Sequence, residues 1–134
     1  MDKGQIYFKD LNKYLITRVN GDTLVFDLVR ALVKNNSIWE DKEKLLNAIF
    51  NEMTEEADIS HGTWRLYMLG NSKRKEILDK PLERDPPMRV IIDNKQIEVY
   101  DWDNLEFSGD FYEFIVFFRN KNSYYWCRNQ VLWG

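Results

Sequence analysis

The 134-residue chain has almost none of the residues that usually form covalent links or bind zinc. Cys127 is its single cysteine and His61 its single histidine, which excludes an internal disulfide and a zinc site built from several such residues. The longest fully apolar run, Phe114–Phe118, is too short to cross a bilayer. Since the chain also starts without a signal-peptide pattern, we predict a protein of the reducing cytoplasm that does not enter a membrane.

The motifs that identify common enzymes are missing as well. The six glycines are scattered along the chain, so they form no phosphate-binding loop, and the sequence has neither a Gly-x-Ser-x-Gly elbow nor a His-Glu-x-x-His helix. We interpret Cys127 as a small buried apolar residue rather than a nucleophile, because no histidine lies near it in sequence. Asp101-x-Asp103 matches the start of a calcium loop, but Glu106 stands where that loop requires glycine. The sequence therefore predicts no cofactor and no metal.

The charge distribution leaves one nucleic-acid hypothesis open. A net charge of −3 argues against a protein that binds DNA of any sequence. Residues 63–89 nevertheless hold seven Lys/Arg against four Asp/Glu. These basic residues would contact phosphates while exposed Tyr or Trp rings stack on bases. The candidates for such a nucleic-acid or nucleotide site are Arg65, Lys73, Arg74, Lys75 and Arg89. The simpler interpretation is a solvated turn between strands.

What the chain does contain is enough apolar material for one globular core. Hydrophobic residues make up 44% of the sequence and aromatic residues 15%, so we expect a single folded domain over residues 1–134. Residues 1–62 are predicted to be mainly helical and residues 63–134 to form an antiparallel sheet. The expected fold is α+β, with the N-terminal helices packed on one face of a C-terminal antiparallel sheet of four or five strands.

Helical spacing is the main pattern of the first half. Leu and Val recur from Leu24 to Val33 and predict a helix that begins near Thr23. Two alternatives compete over residues 10–26, a helix capped by Asp10 and a β-hairpin that turns at Asn20-Gly21. Ser37 and Glu40 have the spacing of a capping box and predict a second helix, ending near Met53. Its buried face would consist of Leu45, Leu46, Ile49, Phe50 and Met53.

Strand-like segments separated by turn residues follow in the second half. The predicted strands are Thr63–Leu69, Met88–Ile92, Gln96–Tyr100, Phe111–Arg119 and Ser123–Trp133. The turn-forming sequence Asp93-Asn94-Lys95 predicts one hairpin, and Asn120-Lys121-Asn122 predicts another.

An acidic and aromatic stretch is the strongest candidate for a binding surface. Trp102 lies between two aspartates in a predicted loop, which is unusual for a residue that only fills the core. Aromatic rings supply contact area, and carboxylates steer a basic partner toward them. The predicted protein-binding residues are Tyr100, Asp101, Trp102, Asp103, Tyr124, Trp126 and Trp133. The competing interpretation packs Trp102 against the core.

The leading functional hypothesis is a small non-catalytic module that binds another protein, one with a basic surface. Immunity proteins and inhibitors of host defence encoded by phages or mobile elements have this size and character, although the analogy rests on class and on no shared motif. Nucleic-acid binding by residues 65–89 is the first alternative. An enzyme that uses His61 with the nearby Glu55, Glu56 and Asp58 is the second. The final strand could also pair with its twin in a homodimer.

Overall fold

The computed structural model describes residues 3–18, 24–59 and 75–121. Within these ranges six strands form one sheet, in the order β3-β2-β1-β4-β5-β6. The strands are β1 (Gly4–Phe8), β2 (Lys13–Thr17), β3 (Lys75–Leu78), β4 (Met88–Asp93), β5 (Gln96–Asp101) and β6 (Asn104–Asp110). Neighbouring strands are antiparallel except β1 and β4, which are parallel. The fold is α+β, but the sheet is mixed and larger than the antiparallel sheet predicted from the sequence.

The N-terminal segment is a β-hairpin, so the prediction of a mainly helical first half is wrong for these residues. Ile6 and Phe8 of β1 alternate with less buried neighbours and are fully buried, and Leu15, the cross-strand partner of Ile6 in β2, is fully buried as well. Asn12 in the connecting turn has φ 51°, a left-handed conformation that asparagine tolerates better than most residues. The helix capped by Asp10 does not form. The hairpin at Asn20-Gly21 is wrong as well, because its second strand would overlap a helix that begins at Leu24.

Two helices follow, α1 (Leu24–Lys34) and α2 (Lys42–Ile59). The predicted start of the first helix near Thr23 is confirmed. The capping box at Ser37 is wrong, because Asn36–Ile38 forms a short 3₁₀ turn and Asp41 takes the capping position instead. Its Oδ1 accepts a hydrogen bond from the backbone N–H of Lys44 at 3.2 Å. The helix also continues past its predicted end at Met53.

The segment Phe111–Arg119, predicted as a strand, belongs to helix α3 (Phe111–Lys121). A capping box formed by Asp110 and Glu113 begins this helix. Asp110 Oδ1 accepts a hydrogen bond from the Glu113 backbone N–H at 2.7 Å, and Glu113 Oε1 accepts one from the Asp110 N–H at 3.1 Å. The predicted second hairpin is therefore wrong in its first strand. Its second strand, Ser123–Trp133, lies outside the described residues.

Glycine is required where β6 turns into α3. A Cβ atom placed on Gly109 would lie 2.7 Å from Cζ of Phe107 and 3.3 Å from Cβ of Glu113. The Phe107 ring has little room to move, because it contacts the rings of Phe114 and Phe117. Gly109 thus permits the close approach that sets the start of α3 beside the end of β6.

The two faces of the sheet differ in what they contact. Cross-strand pairing places Ile6, Val90 and Val99 on one face, here called the core face, where they are buried with apolar residues of the helices. Phe107 of this face meets Phe114 of α3 with ring centres 5.8 Å apart, and Lys75 of this face lies over Phe50 of α2. The opposite face, here called the outer face, carries Tyr7, Tyr14, Arg89, Ile91, Glu98 and Tyr100.

The connection from β3 to β4 crosses the outer face. The backbone N–H of Leu82 donates a hydrogen bond to Oε1 of Gln5 at 3.3 Å, which places the loop over β1. The loop ends at Pro87, directly before β4. Among the helices in the described ranges, none is long and apolar enough to span a membrane.

Candidate functional site

Trp102 occupies a tight turn between β5 and β6, with its backbone in a strained conformation. Asp101 pairs with Asn104, so only Trp102 and Asp103 connect the strands. Trp102 has φ 54°, in the left-handed region that costs a residue other than glycine about 1 kcal/mol. The side chain is nevertheless 61% exposed. A large apolar ring thus stands in water at a position where the backbone favours glycine.

The backbone of Trp102 is held on both sides. Its N–H donates a hydrogen bond to the carbonyl oxygen of Pro87 at 2.7 Å, and its carbonyl oxygen accepts one from Arg89 Nη2 at 3.2 Å. The Arg89 guanidinium also lies over the ring of its cross-strand partner Tyr100, with Cζ 4.9 Å from the ring centre. These contacts fix the turn against the crossover loop and the outer face.

Further exposed side chains surround this turn. Leu105 pairs with Tyr100 across the sheet and is 53% exposed. The carboxylates of Asp101 and Asp103 flank Trp102 and are also exposed. We call this surface the Trp102 patch; it consists of Arg89, Tyr100, Asp101, Trp102, Asp103 and Leu105. It combines two aromatic rings, an arginine held in place and two negative charges.

The structure brings four of the predicted protein-binding residues together in this patch, namely Tyr100, Asp101, Trp102 and Asp103. The predicted contact residues Tyr124, Trp126 and Trp133 lie outside the described residues. The interpretation that packs Trp102 against the core does not hold, since most of its side chain is in water.

The basic residues of the nucleic-acid hypothesis do not come together in the described part of the chain. Lys75 is the first residue of β3 and is only 8% exposed, with Nζ 5.6 Å from the ring centre of Phe50 on the core face. Arg89 lies on the outer face and forms part of the Trp102 patch. Arg65, Lys73, Arg74 and the proposed catalytic residue His61 lie outside the described residues.

The outer face also carries a pair of stacked tyrosines that the sequence analysis did not single out. The rings of Tyr7 and Tyr14 are 4.3 Å apart and nearly parallel, and the Tyr7 hydroxyl donates a hydrogen bond to Asn12 Oδ1 at 3.2 Å. Burial raises the pKa of the Tyr14 phenol above its ordinary value, and the neighbouring Tyr7 adds to the shift. The signal in the sequence was the alternation of these tyrosines with Ile6 and Leu15.

A recess lies at the far end of the β5–β6 hairpin from Trp102. Its volume is about 360 Å³, and it lies between the 3₁₀ turn and the start of α3. Its aromatic walls are Trp39, Phe111 and Tyr112, the last of these 68% exposed. Glu40 Oε1 and Lys95 Nζ form an ion pair of 3.1 Å within it.

A buried ion network connects α1 and α2. Arg30 donates hydrogen bonds to Asp27 Oδ1 and, from Nε at 3.1 Å, to Glu52 Oε1, and all three side chains are more than nine-tenths buried. Lys34, which is mostly exposed, adds a contact of 3.2 Å to Glu52. Because cations already engage both carboxylates and the cluster is closed to solvent, it holds the helices together and offers no surface to a ligand.

No further chemistry is visible in residues 3–18, 24–59 and 75–121, where no three His, Cys, Asp or Glu side chains are grouped to hold a metal ion. The sequence matches no protein-family model, and no match was found among curated proteins or solved structures.

Proposed function

We propose that this protein is a non-catalytic binding module that uses the Trp102 patch to contact another protein. The observation that supports the proposal is the exposed ring of Trp102 on a left-handed turn. Both features are unfavourable for folding. A glycine at this position would remove the strain of the left-handed backbone, and a polar side chain would remove the exposure of an apolar ring to water. A partner that covers the ring would offset both.

The composition of the patch fits the centre of an interface. Trp, Tyr and Arg are the residues most enriched among those that dominate binding energy. Here the backbone of Trp102 is bonded to Pro87 and Arg89 before any partner arrives, so less conformational freedom is lost on binding. Asp101 and Asp103 favour a partner whose matching surface is basic.

Size indicates that the Trp102 patch is the core of a larger interface. One aromatic side chain buries on the order of 200 Å², whereas a stable complex covers about 800 Å² on each partner. The partner must therefore extend beyond the turn, along β6 or over the outer face. An inhibitor of the immunity or anti-defence kind, which blocks its target by occupying a basic surface, is the specific form of this proposal.

Phosphate binding has weaker support from the described residues. Lys75 is buried on the core face, and Arg89 is bonded to Trp102 between two aspartates. The steepness of the salt dependence separates the two hypotheses, since binding through several phosphates weakens more steeply as salt rises than a contact centred on an aromatic ring with two flanking carboxylates.

The test is the affinity of Trp102→Ala for the partner. The partner is first captured from an extract of the source cells with the native protein, and calorimetry then measures its affinity for each variant. We expect Trp102→Ala to weaken binding by about 2 kcal/mol or more, which is about 30-fold. Val33→Ala, which truncates an exposed apolar residue of α1, serves as the control and should leave affinity unchanged. An unaltered affinity for Trp102→Ala would refute the proposal.

A further inference from the structure

The strand next to Trp102 lies at one end of the sheet. Within the described ranges β6 pairs only with β5, and the order of strands places it at the edge opposite β3. It has seven residues, against four in β3. An edge strand presents unpaired backbone N–H and C=O groups, and an extended segment of another protein can pair with them.

This edge lacks the side chains that most often protect such strands. Lysine and proline are common on exposed edges, and β6 has neither. It does have a bulge, because the pairing skips Glu106 between Phe107 and Leu105. Leu105 and Ser108 are exposed along it. The edge is therefore protected by one bulge and by charge.

That charge is mainly negative. Residues 96–118 contain six carboxylates and no Lys or Arg. These are Glu98, Asp101, Asp103, Glu106, Asp110 and Glu113. Arg89 and Lys95 lie near the two ends of the edge, but Arg89 is hydrogen-bonded to the Trp102 carbonyl and Lys95 forms an ion pair with Glu40. A second copy of the chain that paired edge to edge would bring like charges together, which is unfavourable. A basic segment would find opposite charges instead, above all those of the exposed Asp101 and Asp103 beside Trp102.

Exposed rings mark both ends of the edge. Trp102 and Leu105 lie where β6 begins, and Tyr112 and the aromatic recess lie where it ends. A strand of seven residues is about 23 Å long. One extended segment of that length could cover Trp102 and reach the recess.

We infer that the partner presents a basic, extended segment that adds a strand to the edge of β6, with one end over Trp102 and the other beside Tyr112. The inference rests on the proposed function, because it names the kind of segment that the Trp102 patch receives.

The probe is a nine-residue peptide of alternating lysine and valine, added to the full chain and followed by NMR. We expect saturable binding with a dissociation constant of about 1 mM or tighter. The backbone amides of β6 that point away from β5 should then exchange with solvent about tenfold more slowly, while those of β3 should not change. Absence of binding, or binding that leaves the β6 amides unaltered, would overturn the inference.

Two altered peptides separate backbone pairing from charge. Methylation of alternate backbone nitrogens removes the hydrogen bonds of one edge but keeps the lysines, so this peptide should not protect β6. A peptide of alternating glutamate and valine should not bind. Equal binding of either one, or self-association of the chain through β6, would contradict the inference.

A pair of charge reversals tests the surface of the protein itself. Asp103→Lys should weaken the lysine-valine peptide about fivefold at low salt, because it replaces an attraction with a repulsion. Asp79→Lys makes the same change directly after β3, at the opposite edge of the sheet, where the Asp79 side chain is 80% exposed, and should have no effect. Equal weakening by both variants would mean that only net charge matters.

The two proposals fail in different ways. If the peptide leaves β6 untouched while Trp102→Ala still weakens the native partner, strand addition is wrong and the proposed function stands. If Trp102→Ala leaves the native partner unaffected while the peptide protects β6, the binding surface has been placed at the wrong residue.

Discussion

The buried ion network and the Trp102 turn depart from the usual distribution of residues in opposite directions. Arg30, Asp27 and Glu52 bring charge into the interior, whereas Trp102 brings a large apolar ring into water. In the network the unfavourable burial is offset within the chain, since opposite charges meet at hydrogen-bonding distance. At the turn Trp102 remains 61% exposed. The comparison teaches that the buried ion network stabilises the fold, whereas the exposed Trp102 indicates a binding partner.

The largest effect we expect is on the network. Arg30→Met removes the guanidinium from two buried carboxylates, so the free energy of unfolding should fall by about 3–5 kcal/mol. Since proteins of this kind are stable by only about 5–15 kcal/mol, the variant would be close to unfolding. Urea denaturation followed by circular dichroism measures the change.

Lys34→Met is the matched control for the network. It also removes a cation from Glu52, but the Lys34 side chain is 55% exposed. The free energy of unfolding should fall by less than about 1 kcal/mol. Similar losses for the two variants would show that burial does not distinguish the network from an ordinary surface ion pair.

An intermediate effect is expected where the turn is anchored. Arg89→Ala removes the hydrogen bond to the Trp102 carbonyl and the contact with the Tyr100 ring. We expect the free energy of unfolding to fall by about 1–2 kcal/mol, and the affinity for the partner to fall with it. A double-mutant cycle with Trp102→Ala measures the coupling; if the two effects on affinity simply add, Arg89 does not act through Trp102.

The smallest effect we expect is the difference in the free energy of unfolding between two substitutions of Trp102 itself. Glycine suits the left-handed backbone and alanine does not, so Trp102→Gly should be more stable than Trp102→Ala by about 1 kcal/mol and no less stable than the native protein. Both should lose affinity for the partner. If the native protein proves clearly more stable than Trp102→Gly, the ring contributes to the fold and the contrast with the network disappears.

Local patterns explain the predictions that were correct. The hairpin of β4 and β5 is confirmed, and Asn94 in its turn has φ 56°, which fits the turn-forming sequence. The helix predicted from about Thr23 is confirmed. It was predictable because its apolar residues keep one helical period over many positions. In α2, the predicted positions Leu45, Leu46, Ile49 and Met53 are buried.

The errors arose where the apolar residues fit the period of a strand and that of a helix equally well. They also arose where the deciding contact joins residues far apart in the sequence. Phe111–Arg119 is apolar on both strand faces, yet the buried positions Phe111, Phe114 and Phe118 also have helical spacing. The spacing of Asp110 and Glu113 was the signal that decides for a helix. No local pattern predicts the parallel pairing of β1 with β4.

The candidate surface was only partly visible in the sequence. An exposed Trp102 was predicted from its position between two aspartates. Its left-handed backbone depends on the pairing of β5 with β6, and its hydrogen bond to Arg89 depends on the register between β4 and β5, so neither could be predicted from the sequence. That Trp102 binds a partner remains a proposal.

The parallel pairing at the centre of the sheet has a consequence for synthesis on the ribosome. Ile6 in β1 pairs on one side with Leu15 nearby, and on the other with Val90, far along the chain. The nascent hairpin of β1 and β2 therefore leaves the ribosome with one side of β1 unpaired. That side stays unpaired until β4 has been translated. A chain that stalls or is cut before Met88 would leave that side exposed to aggregation instead of forming a stable half of the fold.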